Sequence, residues 1–229
     1  VLFLFLFSLG FTAYSQTLVQ KFYIDFGQDN PSQSRRLSGV DANGNHWNNV
    51  VAPIGSPSTL NAGASVTLKS STDAQTFYVL EVARSIRSNG GDNGGLFTPD
   101  PALLGDLAVA TATEDYFFLD GGMGKGLFKF KSLDRNKAYK FYIFGTRVAA
   151  GAQRGVIYSL SGKNGSHGSQ LNTGTGIGDN GYNGNNNNVW ESAFVIPADN
   201  GEIMLELGRL FSDQMGYISA MKIEEYSDV

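Results

Sequence analysis

The chain contains no cysteine. That excludes disulfides, thiolate catalysis and cysteine-ligated zinc. It also excludes a bacterial lipid anchor, which is built on a cysteine just after a signal sequence. Histidine is scarce, with only His46 and His167. Charge is sparse too: 17 Lys and Arg stand against 21 Asp and Glu, for a net charge of −4. No basic patch stands out, so nucleic acid is not an expected partner. There is no long amphipathic helical pattern, no internal repeat and no linker that would split the chain. No G-x-S-x-G nucleophile elbow occurs. Glycine, by contrast, is abundant, with 29 residues in 229. Many glycines and few charges favour a turn-rich, strand-rich fold over helices.

The long apolar run stands at the start, in residues 1–11. It is too short to cross a bilayer, which takes roughly 20 apolar residues. Ala13 and Ser15 flank Tyr14 in an A-x-A-like pattern, so the expected reading is a signal peptide over 1–15, cut after Ser15, with Gln16 as the new N-terminus. A buried first strand is the weaker alternative. No initiator Met or basic segment precedes Val1, which points to a start a few residues upstream. Export and the missing disulfides together read as bacterial rather than animal. Residues 16–229 are then expected as one domain, long enough to bury a core without cross-links.

Period-2 alternation marks the strands. In 18–26, Phe22, Ile24 and Phe26 fall on one face, while Lys21, Tyr23 and Asp25 fall on the other. Further strands are expected at 47–51, 65–70, 76–82, 113–119, 155–161, 189–196, 202–208 and 217–226. A polar loop fills 28–45, and an irregular stretch with one helical turn fills 84–106. Residues 126–145 hold the clearest pattern: Leu127 to Lys131 alternates strictly, 133–137 makes a turn, and Tyr139, Phe141 and Ile143 share a face. These two runs are expected to form an antiparallel hairpin. The Gly/Asn-rich segment 162–188 is expected as a long loop that buries no core. About ten short strands with regular turns predict an all-β fold, an antiparallel β-sandwich or jelly roll with little helix.

Several segments in order carry a resemblance: Tyr23-Ile24-Asp25-Phe26-Gly27, Trp47-Asn48-Asn49-Val50, 113–118, 128–133, 140–147, 154–158 and Tyr217-Ile218-Ser219-Ala220-Met221-Lys222-Ile223. Together they resemble the galactose-binding-like jelly-roll domains of secreted bacterial polysaccharide-degrading systems. The resemblance implies a carbohydrate-binding role. It departs from the usual arrangement in that these 229 residues include no esterase or glycosidase module.

Sugar binding needs flat apolar rings and planar hydrogen-bonding groups. Trp47, Trp190 and Tyr182 are candidates for the first; Asn48, Asn49, Arg147, Arg154 and the Asn-rich loop are candidates for the second. Trp47 reads equally well as a core plug, and Trp190, at the start of a strand, reads better as core. Arg147 and Arg154 flank a loop and can grip a carboxylate or diol in two prongs, which would suit an acidic sugar. The competing reading is an ion pair with Asp115 or Asp25. Asp41, Asn43 and Asn45 place oxygens at i, i+2 and i+4, as a structural calcium would want, although a simple Asx turn explains the same spacing. The EF-hand pattern fails for want of a Glu at the twelfth position. Asp179 is a second candidate oxygen donor.

Catalysis has less to stand on. His167 lies in the glycine-rich segment, a poor platform for a base. Glu114 and Asp115 would point to opposite faces of a regular strand and could not share one cleft. The first expectation is therefore a secreted, non-catalytic module that binds polysaccharide or oligosaccharide. A structural or adhesive surface protein, and a polysaccharide lyase or hydrolase, are the alternatives.

Overall fold

The computed structural model describes residues 16–32, 35–89, 94–148, 153–211 and 214–227. The expected signal peptide and its cleavage site lie outside the described residues, as does most of the glycine cluster at 90–93. Among the described residues, no helix is long and apolar enough to cross a membrane.

The alternating segments become strands, in chain order β1 (Thr17–Gln28), β2 (Trp47–Ala52), β3 (Ser58–Leu60), β4 (Ser65–Lys69), β5 (Gln75–Arg84) and β6 (Ile86–Asn89). Two short helices, α1 (Pro101–Leu104) and α2 (Ala110–Thr113), flank a 3₁₀ turn at Gly105–Leu107. Then follow β7 (Tyr116–Leu119), β8 (Gly126–Lys131), β9 (Ala138–Phe144), β10 (Gly155–Gly162), β11 (Gly165–Asn172), β12 (Trp190–Glu191), β13 (Ile203–Arg209), β14 (Gly216–Ile218) and β15 (Ala220–Ser227).

These strands form an all-β sandwich. One layer is a five-stranded sheet in the order β12-β9-β15-β1-β2, antiparallel except for the parallel β1–β2 pair. The other is a six-stranded antiparallel sheet, β11-β10-β13-β8-β5-β4. Between them lie Phe22, Ile24, Phe26, Phe141 and Ile143 from the first sheet and Phe128, Phe130, Leu160 and Leu205 from the second, all essentially inaccessible. Rings meet across the layers: Phe26 and Phe128 lie 5.2 Å apart, as do Phe130 and Phe141. Each such buried side chain contributes about 1.5–3 kcal/mol in transfer from water. A smaller sheet, β14-β7-β6-β3, adds Ile86, Phe117, Leu119 and Ile218 to the same core. Its other face carries a separate cluster of Tyr116, Phe118 and Tyr217.

Four expectations need correction. The 126–145 segment is not a hairpin: β8 pairs with β13 and β5, whereas β9 pairs with β15 and β12. The turn between them crosses from one layer to the other, helped by a positive φ at Ser132 and an Asx turn at Asp134, whose carboxylate accepts from Asn136 N–H at 2.9 Å. Alternation says which side of a strand is apolar; it does not say which strand lies beside it.

Segment 217–226 is two strands, because the chain changes sheet at buried Ser219. Its N–H donates to Phe144 O and its carbonyl accepts from Phe26 N–H, both at 2.9 Å. The strand expected over 113–119 begins only at Tyr116; Thr113 ends α2, its hydroxyl donating to Leu96 O at 2.6 Å. Finally, the 162–188 segment is not all loop: its residues Gly165–Asn172 form β11, paired with β10 from Gly155↔Asn172 to Gly162↔Gly165. The rest is anchored by asparagine side chains. Asn185 is fully buried, donating to Gly145 O at 2.9 Å and Asn188 O at 2.8 Å. An amide side chain satisfies backbone groups that a core would otherwise have to shield.

Candidate functional site

Trp47 is 1 % exposed. Its ring packs 5.1 Å from that of Tyr23, and its Nε1–H donates to Asp41 Oδ2 at 2.9 Å. It is a core plug on the outer face of the five-stranded sheet, under Leu96, Leu104 and Leu107, and offers no platform to a sugar. Asn48 is equally committed: its Nδ2 donates to Tyr23 O and Lys69 O, and its Oδ1 accepts from Lys69 N–H, at 2.8–3.0 Å. It stitches β1 and β4 to β2. Asn49 Nδ2 holds Leu37 O at 3.2 Å and so secures the loop after β1.

The Asp41, Asn43, Asn45 spacing is an Asx turn rather than a calcium cage. Asp41 Oδ1 accepts the N–H groups of Asn43 and Asn45 at 2.8 and 2.9 Å, while Oδ2 takes Asn45 Nδ2 and the Trp47 indole. A carboxylate filled by four donors has no lone pairs left for a cation. Asp179, on the surface, accepts from Asn187 Nδ2. Among the described residues, no group of three His, Asp or Glu side chains is placed to hold a metal.

Asp25, Glu114 and Asp115 converge beneath the surface, since Glu114 and Asp115 leave the end of α2 rather than a strand. Arg35 satisfies Glu114 through its N–H at 2.8 Å and its guanidinium at 3.1 Å. Asp115 Oδ2 takes Gln28 N–H at 2.7 Å. One oxygen each of Asp25 and Asp115 finds no partner among the described residues. Burial, then the neighbouring Asp115 and Glu114 charges, push the Asp25 carboxyl well above its ordinary range. Burial does the same to Asp115, opposed by Gln28 N–H and reinforced by Glu114. These carboxyls are 1–4 % exposed, sealed away from any polysaccharide.

Arg147, Arg154 and Tyr182 do come together, at one end of the sandwich. Arg147 Nη1 meets Tyr116 Oη, with its guanidinium 5.5 Å over the Tyr116 ring. Tyr182 is half-buried, its hydroxyl donating to Gly95 O at 3.2 Å. Burial pushes the Tyr217 phenol up to about 12, with the positive charges of Arg154 and Arg147 pulling against it. The competing ion pairs with Asp115 or Asp25 are not made: among the described residues, no carboxylate lies within salt-bridge range of Arg147 or Arg154. The Nε of each is buried and meets no hydrogen-bond partner among the described residues.

Two adjoining clefts lie beside this cluster. The first, about 350 Å³, runs between the sheet edges β11 and β12 and is lined by Gln170, Asn172, Asn188, Trp190 and Glu191. Trp190 is neither fully core nor fully exposed. One face stacks on buried Tyr158, with centroids 5.6 Å apart and planes 12° from parallel, and the residue also borders the cleft. The second, about 270 Å³, is lined by Gln153, Arg154, Asn172, Thr175 and Phe211. Asn172 belongs to both. A wider channel of about 540 Å³ on the outer face of the six-stranded sheet has no aromatic wall, and its Glu206 is already paired with Lys125 and Arg84.

Gln170, Asn172 and Asn188 lie in the Asn-rich segment that the sequence offered only as a whole, and Phe211 was not among the sequence candidates. A signal for the first two existed: Asn164-Gly165 between Lys163 and Ser166 is a hairpin-turn dipeptide, and reading it would have made 165–172 a strand with exposed amides on alternate positions.

No protein-family model matches the chain, and no curated protein matches it. A similar solved structure, titled "Structural basis for the promiscuous specificity of the carbohydrate-binding modules from the beta-sandwich super family", shares 9 % identity over 77 % of this chain and 93 % of its own, with a TM-score of 0.23. At that level the likeness carries no argument about a site.

Proposed function

We propose that this chain is an exported, non-catalytic carbohydrate-binding β-sandwich whose mature form begins at Gln16, and that it holds sugar in the cleft between β11 and β12. The observation that carries this is Trp190, held flat by Tyr158 and bordered by the planar groups of Gln170, Asn172, Asn188 and Glu191. A rigid indole offers an apolar surface to the C–H face of a pyranose, and amides and a carboxylate at its rim match hydroxyls that donate and accept. The galactose-binding-like resemblance of the sequence points the same way.

The test is affinity electrophoresis against a panel of soluble polysaccharides. Retardation by at least one is expected, and Gln170→Ala and Asn188→Ala, both on exposed side chains, should weaken it about tenfold at an unchanged melting temperature. No retardation by any polysaccharide would overturn the proposal. Cleavage of one would replace it with the hydrolase or lyase reading.

A further inference from the structure

We infer that the cleft around Arg154 is a subsite for the carboxylate of an acidic sugar, so that the saccharide held beside Trp190 is a hexuronate-containing one. The inference rests on the sugar-binding reading above and narrows its ligand class.

Among the described residues, neither Arg147 nor Arg154 has a carboxylate within salt-bridge range, in a chain of net charge −4. Arg147 is engaged by Tyr116. Arg154 lines the 270 Å³ cleft and is only partly buried. A carboxylate is the acceptor that fits a guanidinium's planar fork in two prongs. The stem of Arg154 is held in place: a Cβ on Gly174 would stand 2.7 Å from Arg154 Cβ and 2.9 Å from its Cγ, so the glycine backbone lies directly against it. The backbone on either side is tied down as well, since Thr173 N–H donates to Arg154 O at 2.8 Å and Arg147 N–H to Thr173 O at 2.7 Å. The position is therefore built before a ligand arrives. Asn172, shared by both clefts, is the bridge between the Trp190 platform and the arginine. One sugar unit against Trp190 and a neighbouring unit at Asn172 would direct a C6 carboxylate of the latter toward Arg154. A neutral hexose would bring no charge to that guanidinium.

Isothermal titration calorimetry with a panel of hexuronate oligomers, and with the same oligomers after carboxyl reduction to neutral hexoses, tests this. The acidic form of at least one oligomer is expected to bind tenfold or more tightly than its reduced form, the gap closing as salt is raised. Arg154→Gln should remove that gap, weakening the acidic oligomer about tenfold to a hundredfold and changing the reduced one less than twofold. Arg154→Lys, which keeps the charge and loses the fork, should fall between. Because Gly174 packs on the Arg154 stem, melting temperatures accompany each variant; the salt dependence of the unaltered protein is read independently of them. Equal affinity for acidic and reduced oligomers would sink the inference while the sugar-binding reading stood. Binding of neither would sink both.

Discussion

Trp47 shows how one side chain can be read in two ways until its surroundings are known. A tryptophan beside a polar loop suits a sugar platform, yet here its indole N–H is captured by Asp41 and its face by Tyr23. Trp47→Ala is thus expected to destabilise the fold by about 3–5 kcal/mol. At about 2–4 °C per kcal/mol for a domain of this size, thermal denaturation should show a drop of roughly 6–20 °C. An unchanged melting temperature would mean the ring is not core.

The Asp25–Asp115 pair makes a second prediction at this scale. Both carboxyls are raised in the folded state by burial and by neighbouring acids, whereas in the unfolded chain they titrate near about 3.9. The folded state thus binds their protons more tightly. Their contribution to stability is fully present below the unfolded value and is lost as pH rises through the folded ones. Near neutrality the pair works against the fold. Asp25 accepts a backbone hydrogen bond from Leu37; Asp25→Asn keeps the shape and an oxygen to accept that bond and removes the charge, so it should raise the melting temperature at pH 7. The gain should shrink as pH falls toward 4. A variant less stable than the parent at pH 7 would count against a strained carboxyl pair.

At the scale of elements, the Asn-rich segment after β11 is ordered by side-chain amides rather than by apolar packing. Asn185 links Gly145, at the end of β9, to Asn188, just before the Trp190 strand. Asn185→Ala leaves the buried Gly145 carbonyl without this donor, at a cost of about 1–3 kcal/mol. Hydrogen exchange should show faster exchange at Asn188 N–H, which donates to Asn185 Oδ1 at 2.9 Å, while the β8 and β13 amides stay protected. Exchange that accelerates uniformly would mean the loop is not an independent unit. Glycine and asparagine richness reads as loop because such sequences bury little apolar surface. What that reading lacks is the accounting of backbone donors and acceptors, which here closes through Asn185 and Asn186.

At the scale of the molecule, the first and last described strands meet in the middle of one sheet: β15 lies between β9 and β1. Removing residues 216–227 takes away β14 and β15, leaves β1 and β9 each without the strand that lies between them, and uncovers Phe22, Ile24 and Phe141. The truncated chain should show no cooperative melt by circular dichroism. A two-state transition in it would show that the remaining strands close the core alone. The same long-range pairing places folding of the full chain in the millisecond-to-second range.

Inward-facing residues were legible without coordinates. Phe128, Phe130, Phe141 and Ile143 alternate along the chain, and they form the core, because a strand's two faces are a local, period-2 property. Strand neighbours were not legible. Whether β8 pairs with β9 or with β13, whether Trp47 or Trp190 meets solvent, and whether Arg147 and Arg154 find a carboxylate all depend on contacts between residues far apart in sequence. No local pattern encodes such contacts; they are set by how two layers close on each other, and only the folded sandwich decides them.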